Sequence, residues 1–194
     1  FPFGLRPLMA GWNALFHDPS PYQADPSRSA EWNRGAYLVN GLGHCGACHT
    51  PRNALGAEQG GPAFLSGAMV EGWEAPALTG AASKSAVPWT ASSLYQYLRN
   101  GHSPRHGIAG GPMAEVVREL AEVPDADIRA MASYLASFQP DTSEARADEL
   151  ARQAVANAQL RRPAPGAAQR LFDGACAACH HDGNGPTLLG VNTP

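Results

Sequence analysis

Apolar residues recur at helical spacing in a few stretches of this 194-residue chain, and Gly and Pro interrupt the remainder. Residues 7–16 read as a short helix within segment 1–28, where Pro and aromatic side chains predict an extended arm draped over a surface. Trp32, Ala36 and Val39 lie on one helical face, with Ser29 placed to cap a helix over 29–42. Residues 51–88 read as loop. Leu94, Tyr97 and Leu98 then mark a helix over 90–99, closed by Asn100-Gly101. A second loop, rich in Gly and His, runs to Met113. Ile128, Met131, Leu135 and Phe138 form the clearest apolar face, on a helix over 125–138 with Asp125 as its expected cap and Pro140 as its stop. Asp141 with Glu144 is the expected cap of an Ala-rich helix reaching about residue 160, inside a linker over 141–165. Arg161-Arg162-Pro163-Ala164-Pro165 breaks it, and residues 166–175 return to helical pattern. The predicted class is all-α with long loops, divided as arm 1–28, a complete unit 29–140, linker 141–165 and the start of a further unit over 166–194.

The four cysteines fall into two copies of one motif, Cys45-Gly46-Ala47-Cys48-His49 and Cys176-Ala177-Ala178-Cys179-His180. This spacing is that of covalent c-type haem attachment. Two thiols add to the two haem vinyl groups, and the adjacent histidine is held beneath the porphyrin as an iron ligand. Two disulfides, or one zinc shared by both pairs, are the competing readings. Zinc leaves both histidines unexplained, and a thioredoxin-type pair wants a βαβ pattern that the chain lacks. Each motif is preceded by a glycine ten residues earlier, Gly35 and Gly166, where a small residue lets another helix cross closely.

Composition refines this picture. With 21 glycines and 17 prolines, long loops are expected, and the 16% charged residues fall below the ~25% usual for soluble domains. A net charge of −3 without a basic stripe excludes a nucleic-acid partner. No apolar run of ~18 residues is present, so no membrane span is expected within the segment. Haem c is attached outside the cytoplasm, yet the chain begins at Phe1 without a signal segment. Export is therefore expected to be specified elsewhere, and the chain to continue beyond both ends.

His49 and His180 are the expected proximal ligands. For the sixth ligand of the first haem, Met113 fits best, because Gly110-Gly111-Pro112 makes a flexible then rigid turn that can present a thioether. Met69, His102 and His106 compete, and Met131 reads as core. A Met/His pair raises the potential and closes both faces of the iron, which suits electron transfer. No sixth ligand is visible for the second haem, since His181 adjoins His180. Each proximal histidine should give its free N–H to a backbone carbonyl. Pro186 is the expected provider in the second unit, and an unnamed residue after Thr50 in the first. Trp73, Trp89, Tyr95 and Tyr97 are candidates for the pocket lining or for binding propionates, and Arg52 and Arg99 for pairing with propionates.

Arg34-Gly35-Ala36-Tyr37-Leu38-Val39, His44 through Asn53, Glu71-Gly72-Trp73-Glu74-Ala75-Pro76 and Gly110 through Val116 resemble the multihaem cytochrome c subunits of bacterial periplasmic dehydrogenases. The resemblance implies tandem class I cytochrome c domains, the second truncated here, in a protein that usually carries three haems. It makes the arm the tail of a preceding haem domain, and it also favours Met113 as ligand. Such subunits serve molybdenum hydroxylases of aldehydes or N-heterocycles, quinoprotein alcohol dehydrogenases, or flavin-dependent sugar and gluconate dehydrogenases. The segment from Cys179 to Gly190 is most similar to the molybdenum group, whose catalytic partners carry molybdenum cofactor and iron–sulfur chains. The implied role is a periplasmic electron carrier, not itself the catalyst, that is attached to the membrane through another segment or a partner. It passes electrons to quinone or a terminal oxidase. A dihaem peroxidase or a haem-based sensor is the alternative.

Overall fold

A computed structural model describes residues 6–160 and 166–176 of the chain. Two helices cross at the centre of the molecule. The first, α2 (Ala30–Tyr37), follows α1 (Arg6–Phe16) and starts at Ser29, whose hydroxyl accepts from the Trp32 amide as expected. It continues as a π-helical turn, Leu38–Leu42. Gly41 and Gly43 weaken α-helical propensity there, and the Gly43 amide reaches back to the Leu38 carbonyl at 2.7 Å. The second crossing helix, Asp125–Ala136, buries Ile128, Met131, Tyr134 and Leu135. Each such apolar side chain contributes roughly 1.5–3 kcal/mol when fully buried.

The crossing depends on Gly35. A Cβ there would fall on the Ala130 carbonyl, 2.6 Å from its carbon and 2.8 Å from the Tyr134 Cβ. Only a glycine allows that approach. Arg34 fixes the crossing from outside with a two-pronged pair to Asp127, both contacts at 2.8 Å. Trp32 adds an indole hydrogen bond to the Ser137 hydroxyl and an edge-on contact with the Tyr134 ring. Asp125 is not the cap of its helix. Pro124 precedes the first turn without a side-chain cap, and Asp125 instead accepts from the Tyr95 hydroxyl and Arg129.

Between the crossing helices come α3 (Gly46–His49), a 3-10 turn over Gly61–Ala63, and an antiparallel hairpin of β1 (Ala68–Val70) with β2 (Trp73–Ala75). Residues 51–88 are thus not all loop. Glu71 and Gly72 both take positive φ, 51° and 82°, as a tight two-residue hairpin turn requires. Three-residue strands are too short to show alternation. Next, α4 (Ala91–Asn100) starts with a reciprocal Thr90–Ser93 capping box and ends at Gly101, φ 70°. The loop expected up to Met113 contains a second small hairpin, β3 (His102–Ser103) with β4 (Gly107–Ile108), and leads into α5 (Pro112–Leu120). Pro112 suits the first helical position, where its missing N–H costs nothing. The Asp125–Ala136 helix is α6.

Leu38, Val39, Leu65, Leu94, Ile128 and Leu135 lie in one buried core shared by α2, α4, α6 and the intervening loop. Two further helices follow, α7 (Glu144–Leu160) and α8 (Ala167–Ala175). The expected Asp141–Glu144 cap is replaced by Ser143, whose hydroxyl accepts from the Arg146 amide, while Glu144 pairs with Arg105. No helix among the described residues is long and apolar enough to cross a membrane.

Candidate functional site

The first Cys-x-x-Cys-His motif forms one tight helical turn. The Cys45 amide hangs from the Val39 carbonyl, and the His49 amide bonds back to the Cys45 carbonyl at 3.0 Å. That turn holds Cys45, Cys48 and His49 together, partly buried, and neither Cys45 nor Cys48 is in a disulfide. Burial pushes the Cys45 thiol up to about 11, so it is protonated at neutral pH.

His49 has one ring nitrogen assigned. Its Nδ1 lies 2.7 Å from the Pro76 carbonyl oxygen, which can only accept, so Nδ1 carries the proton and Nε2 keeps its lone pair. Burial lowers the His49 pKa, partly offset by that bond, and the ring is held in the neutral form that a metal needs. The carbonyl is presented by the segment that leaves β2, anchored by Leu78 N to Leu65 O and by Gly67 N to His49 O, both 2.8 Å. Thr50, buried behind the motif, accepts from the Leu65 amide at 3.0 Å. The residue left unnamed from sequence is therefore Pro76. A Pro-x-Leu pattern, Pro76-Ala77-Leu78 beside Pro186-Thr187-Leu188, was the signal available for it.

Beside this carbonyl opens a cavity of about 520 Å³, walled by Met69, Pro76, Lys84, Trp89, Tyr97 and His106 among others. Its floor is set by a stack: the His106 ring lies 3.6 Å from the Trp89 ring at 12°. His106 Nε2 meets the Val87 carbonyl at 3.1 Å and Nδ1 meets the Ser103 hydroxyl at 3.2 Å. Both nitrogens are committed, so His106 is a wall, not a ligand. Burial, first of all, drives its pKa down to about 4.

The other sequence candidates separate clearly. Met113 lies in the first turn of α5 rather than on a loop, partly buried against the same core that Cys45 and Trp89 touch. Its approach is fixed by Gly111, whose φ of 53° with ψ of −138° excludes side chains, and a Cβ there would meet the Trp73 ring at 2.7 Å. Trp73 therefore clamps the β1–β2 hairpin onto the turn that launches Met113. Met69 is exposed at the cavity edge and His102 is exposed on β3. Tyr95 bonds Asp125, away from the cavity. Arg99 donates to the Leu120, Ala121 and Val123 carbonyls and so closes the end of α5. Arg52 ties the Gly56 and Ala47 carbonyls together. The cation at the cavity is Lys84, paired with Glu74 at 3.1 Å. Sequence reading missed it.

Of the second motif, Cys176 closes α8, and Cys179, His180, His181 and Pro186 lie outside the described residues. Among the described residues no three His, Cys, Asp or Glu side chains converge as a metal-ion site. The arrangement fits haem c. Two partly buried unpaired thiols share one helical turn with a histidine whose Nε2 is free, and an adjoining cavity offers aromatic walls and one ammonium group.

The sequence profile of the Cytochrome c family matches residues 33–139. Over 192 residues the chain is 54% identical to a subunit of the nicotinate dehydrogenase of Pseudomonas putida, covering 99% of this chain and 16% of that protein. It is 38% identical over 216 residues to the fructose dehydrogenase cytochrome subunit of Gluconobacter japonicus, covering 100% and 44%. A diheme cytochrome c-type protein of Cereibacter sphaeroides is 42% identical over 136 residues, covering 70% and 44%. The chain thus spans less than half the length of each of these relatives.

Proposed function

The chain belongs to the cytochrome c family, and from that premise we propose that it serves as the electron-transfer part of a dehydrogenase complex. In this reading Cys45 and Cys48 hold one haem c, His49 is its proximal ligand and Met113 its sixth ligand. Cys176, Cys179 and His180 hold another. When bound, haem c supplies a one-electron iron couple. The chain's own residues do the rest. Pro76 orients His49 and strengthens it as a donor through the Nδ1–H bond. Trp89, Tyr97 and His106 give the cavity an aromatic wall against which a porphyrin can pack. Lys84 offers a counter-charge at the rim.

The single observation that carries this reading is the His49–Pro76 bond beside two unpaired thiols, because it leaves Nε2 free and fixes its direction. The catalytic centre belongs on a partner chain. Similarity to a nicotinate dehydrogenase subunit supports a partner of the molybdenum-hydroxylase type acting on an N-heterocycle. Attachment of haem c outside the cytoplasm supports a periplasmic site, with quinone or a terminal oxidase as acceptor.

Carbon monoxide tests the closed-iron assignment. The reduced native protein should show no spectral change at the first haem, and Met113→Ala should gain carbon monoxide binding there. Binding by the native first haem would contradict the carrier reading and favour a peroxidase or sensor.

A further inference from the structure

The turn between β3 and β4 carries two adjacent residues with opposite tasks. His106 points into the core and stacks on the cavity-wall residue Trp89. Arg105 reaches outward to α7, the helix that leads toward the second motif. Its Nε donates to Asp148 Oδ1 at 2.7 Å and its Nη1 to Glu144 Oε2 at 2.5 Å. The Arg105 side chain is only 15% exposed, whereas the two carboxylates are about half exposed. A guanidinium that well covered is fixed in direction, and its planar fork engages two carboxylates one turn apart. Between them Ala147 is fully buried. The first turn of α7 is therefore seated on the preceding unit, capped by Ser143 three residues after the Pro140 break. Ser103, also fully buried, holds the turn from below through His106 Nδ1.

We propose that Arg105 is a positioning residue that turns α7 into a rigid arm, so that the spacing between the two haem-attachment motifs is set by a docked helix and not by a loose linker. The 17 residues of α7 span about 25 Å at ~1.5 Å per residue. A lever of that length converts a small tilt at Arg105 into a large displacement at its far end. The positioning role rests on the electron-transfer reading above, whereas the seating of α7 does not.

The test is amide hydrogen exchange of α7 in the full-length, haem-loaded subunit, together with flash-photolysis measurement of electron exchange between its haems. Arg105→Ala and the surface double variant Glu144→Gln/Asp148→Asn should each raise exchange over residues 147–157. The expected change is on the order of tenfold, the equivalent of ~1.4 kcal/mol of lost docking. Arg105→Lys, which keeps one pair, should fall between. Inter-haem electron exchange should slow in the same order, with haem content and individual potentials unchanged. Unaltered amide exchange would show that Arg105 does not hold the helix. A loosened helix with unaltered inter-haem rates would remove the positioning role. Absence of haem at the Cys176 motif would sink the electron-transfer reading and this role with it, while the seating of α7 would still be read from amide exchange.

Discussion

The Nδ1 atom of His49 and the carbonyl oxygen of Pro76 meet at 2.7 Å although 27 residues separate them in sequence. The bond does two things at once. It selects the tautomer that leaves Nε2 able to bind iron, and it makes the imidazole a stronger donor. A stronger donor favours the oxidised metal. Pro76→Gly frees the backbone that presents the carbonyl, so the reduction potential of the first haem should rise. The rise should be less than about 59 mV, the one-electron equivalent of a tenfold change. Spectroelectrochemical titration of that haem reads it, and an unchanged or lowered potential would count against this role.

Gly35 predicts a stability effect. Its Cβ position lies 2.6 Å from the Ala130 carbonyl carbon, which is main chain and cannot step aside as a side-chain tip can. Gly35→Ala should therefore push α2 from α6 and cost about 1–3 kcal/mol, read as a lower urea midpoint. Gly11→Ala on α1, where nothing lies within 4 Å, is the control and should not lower the midpoint.

His106 predicts a pH dependence. Burial lowers its pKa to about 4 in the folded chain, from 6.5 for a free histidine. The unfolded chain therefore takes up the proton first as pH falls. The stabilisation is intact above pH 6.5 and is lost progressively down to about pH 4. At about 1.4 kcal/mol per unit, the loss attributable to this residue is about 3 kcal/mol. His106→Gln should be less stable near neutrality and should lose less stability between pH 7 and 4 than the native chain. Thermal midpoints across that range test it, and parallel profiles would contradict it.

Trp73 predicts a local effect near Met113. Its ring fills the space over Gly111, and Gly111 sets the start of α5. Trp73→Ala should loosen the approach of Met113 and allow partial carbon monoxide binding by the reduced first haem, without loss of haem. A variant as closed to carbon monoxide as the native protein would show that the clamp is not needed.

How much of this was legible in sequence follows from the kind of signal each feature leaves. The attachment motif is local and fully specified, and its single turn forms as its spacing implies. Ser29 and Gly101 are local signals too: the helix over Ala30–Tyr37 begins at the first and the helix over Ala91–Asn100 ends at the second, whereas the Thr90 cap went unread. The close crossing at Gly35 followed from one small residue on an apolar face. The β1–β2 and β3–β4 hairpins left no periodicity to read, and α5 was hidden behind Gly110-Gly111. The caps at Asp125 and Asp141 failed because other partners took the carboxylates: distant Tyr95 and the i+4 neighbour Arg129 take Asp125, and distant Arg105 takes Glu144. Arg52 and Arg99 illustrate the same limit. Their partners are main-chain carbonyls that only the folded chain brings within reach.

Whether the Cys45–His49 motif carries haem is decided by a pyridine haemochrome assay with haem counted per chain, on the native complex and on a Cys45→Ala/Cys48→Ala variant. The native complex should show the absorption band of a haem joined by two thioethers, and the variant should carry one haem fewer. An equal haem count in both proteins, or no haem in either, would contradict haem attachment at this motif.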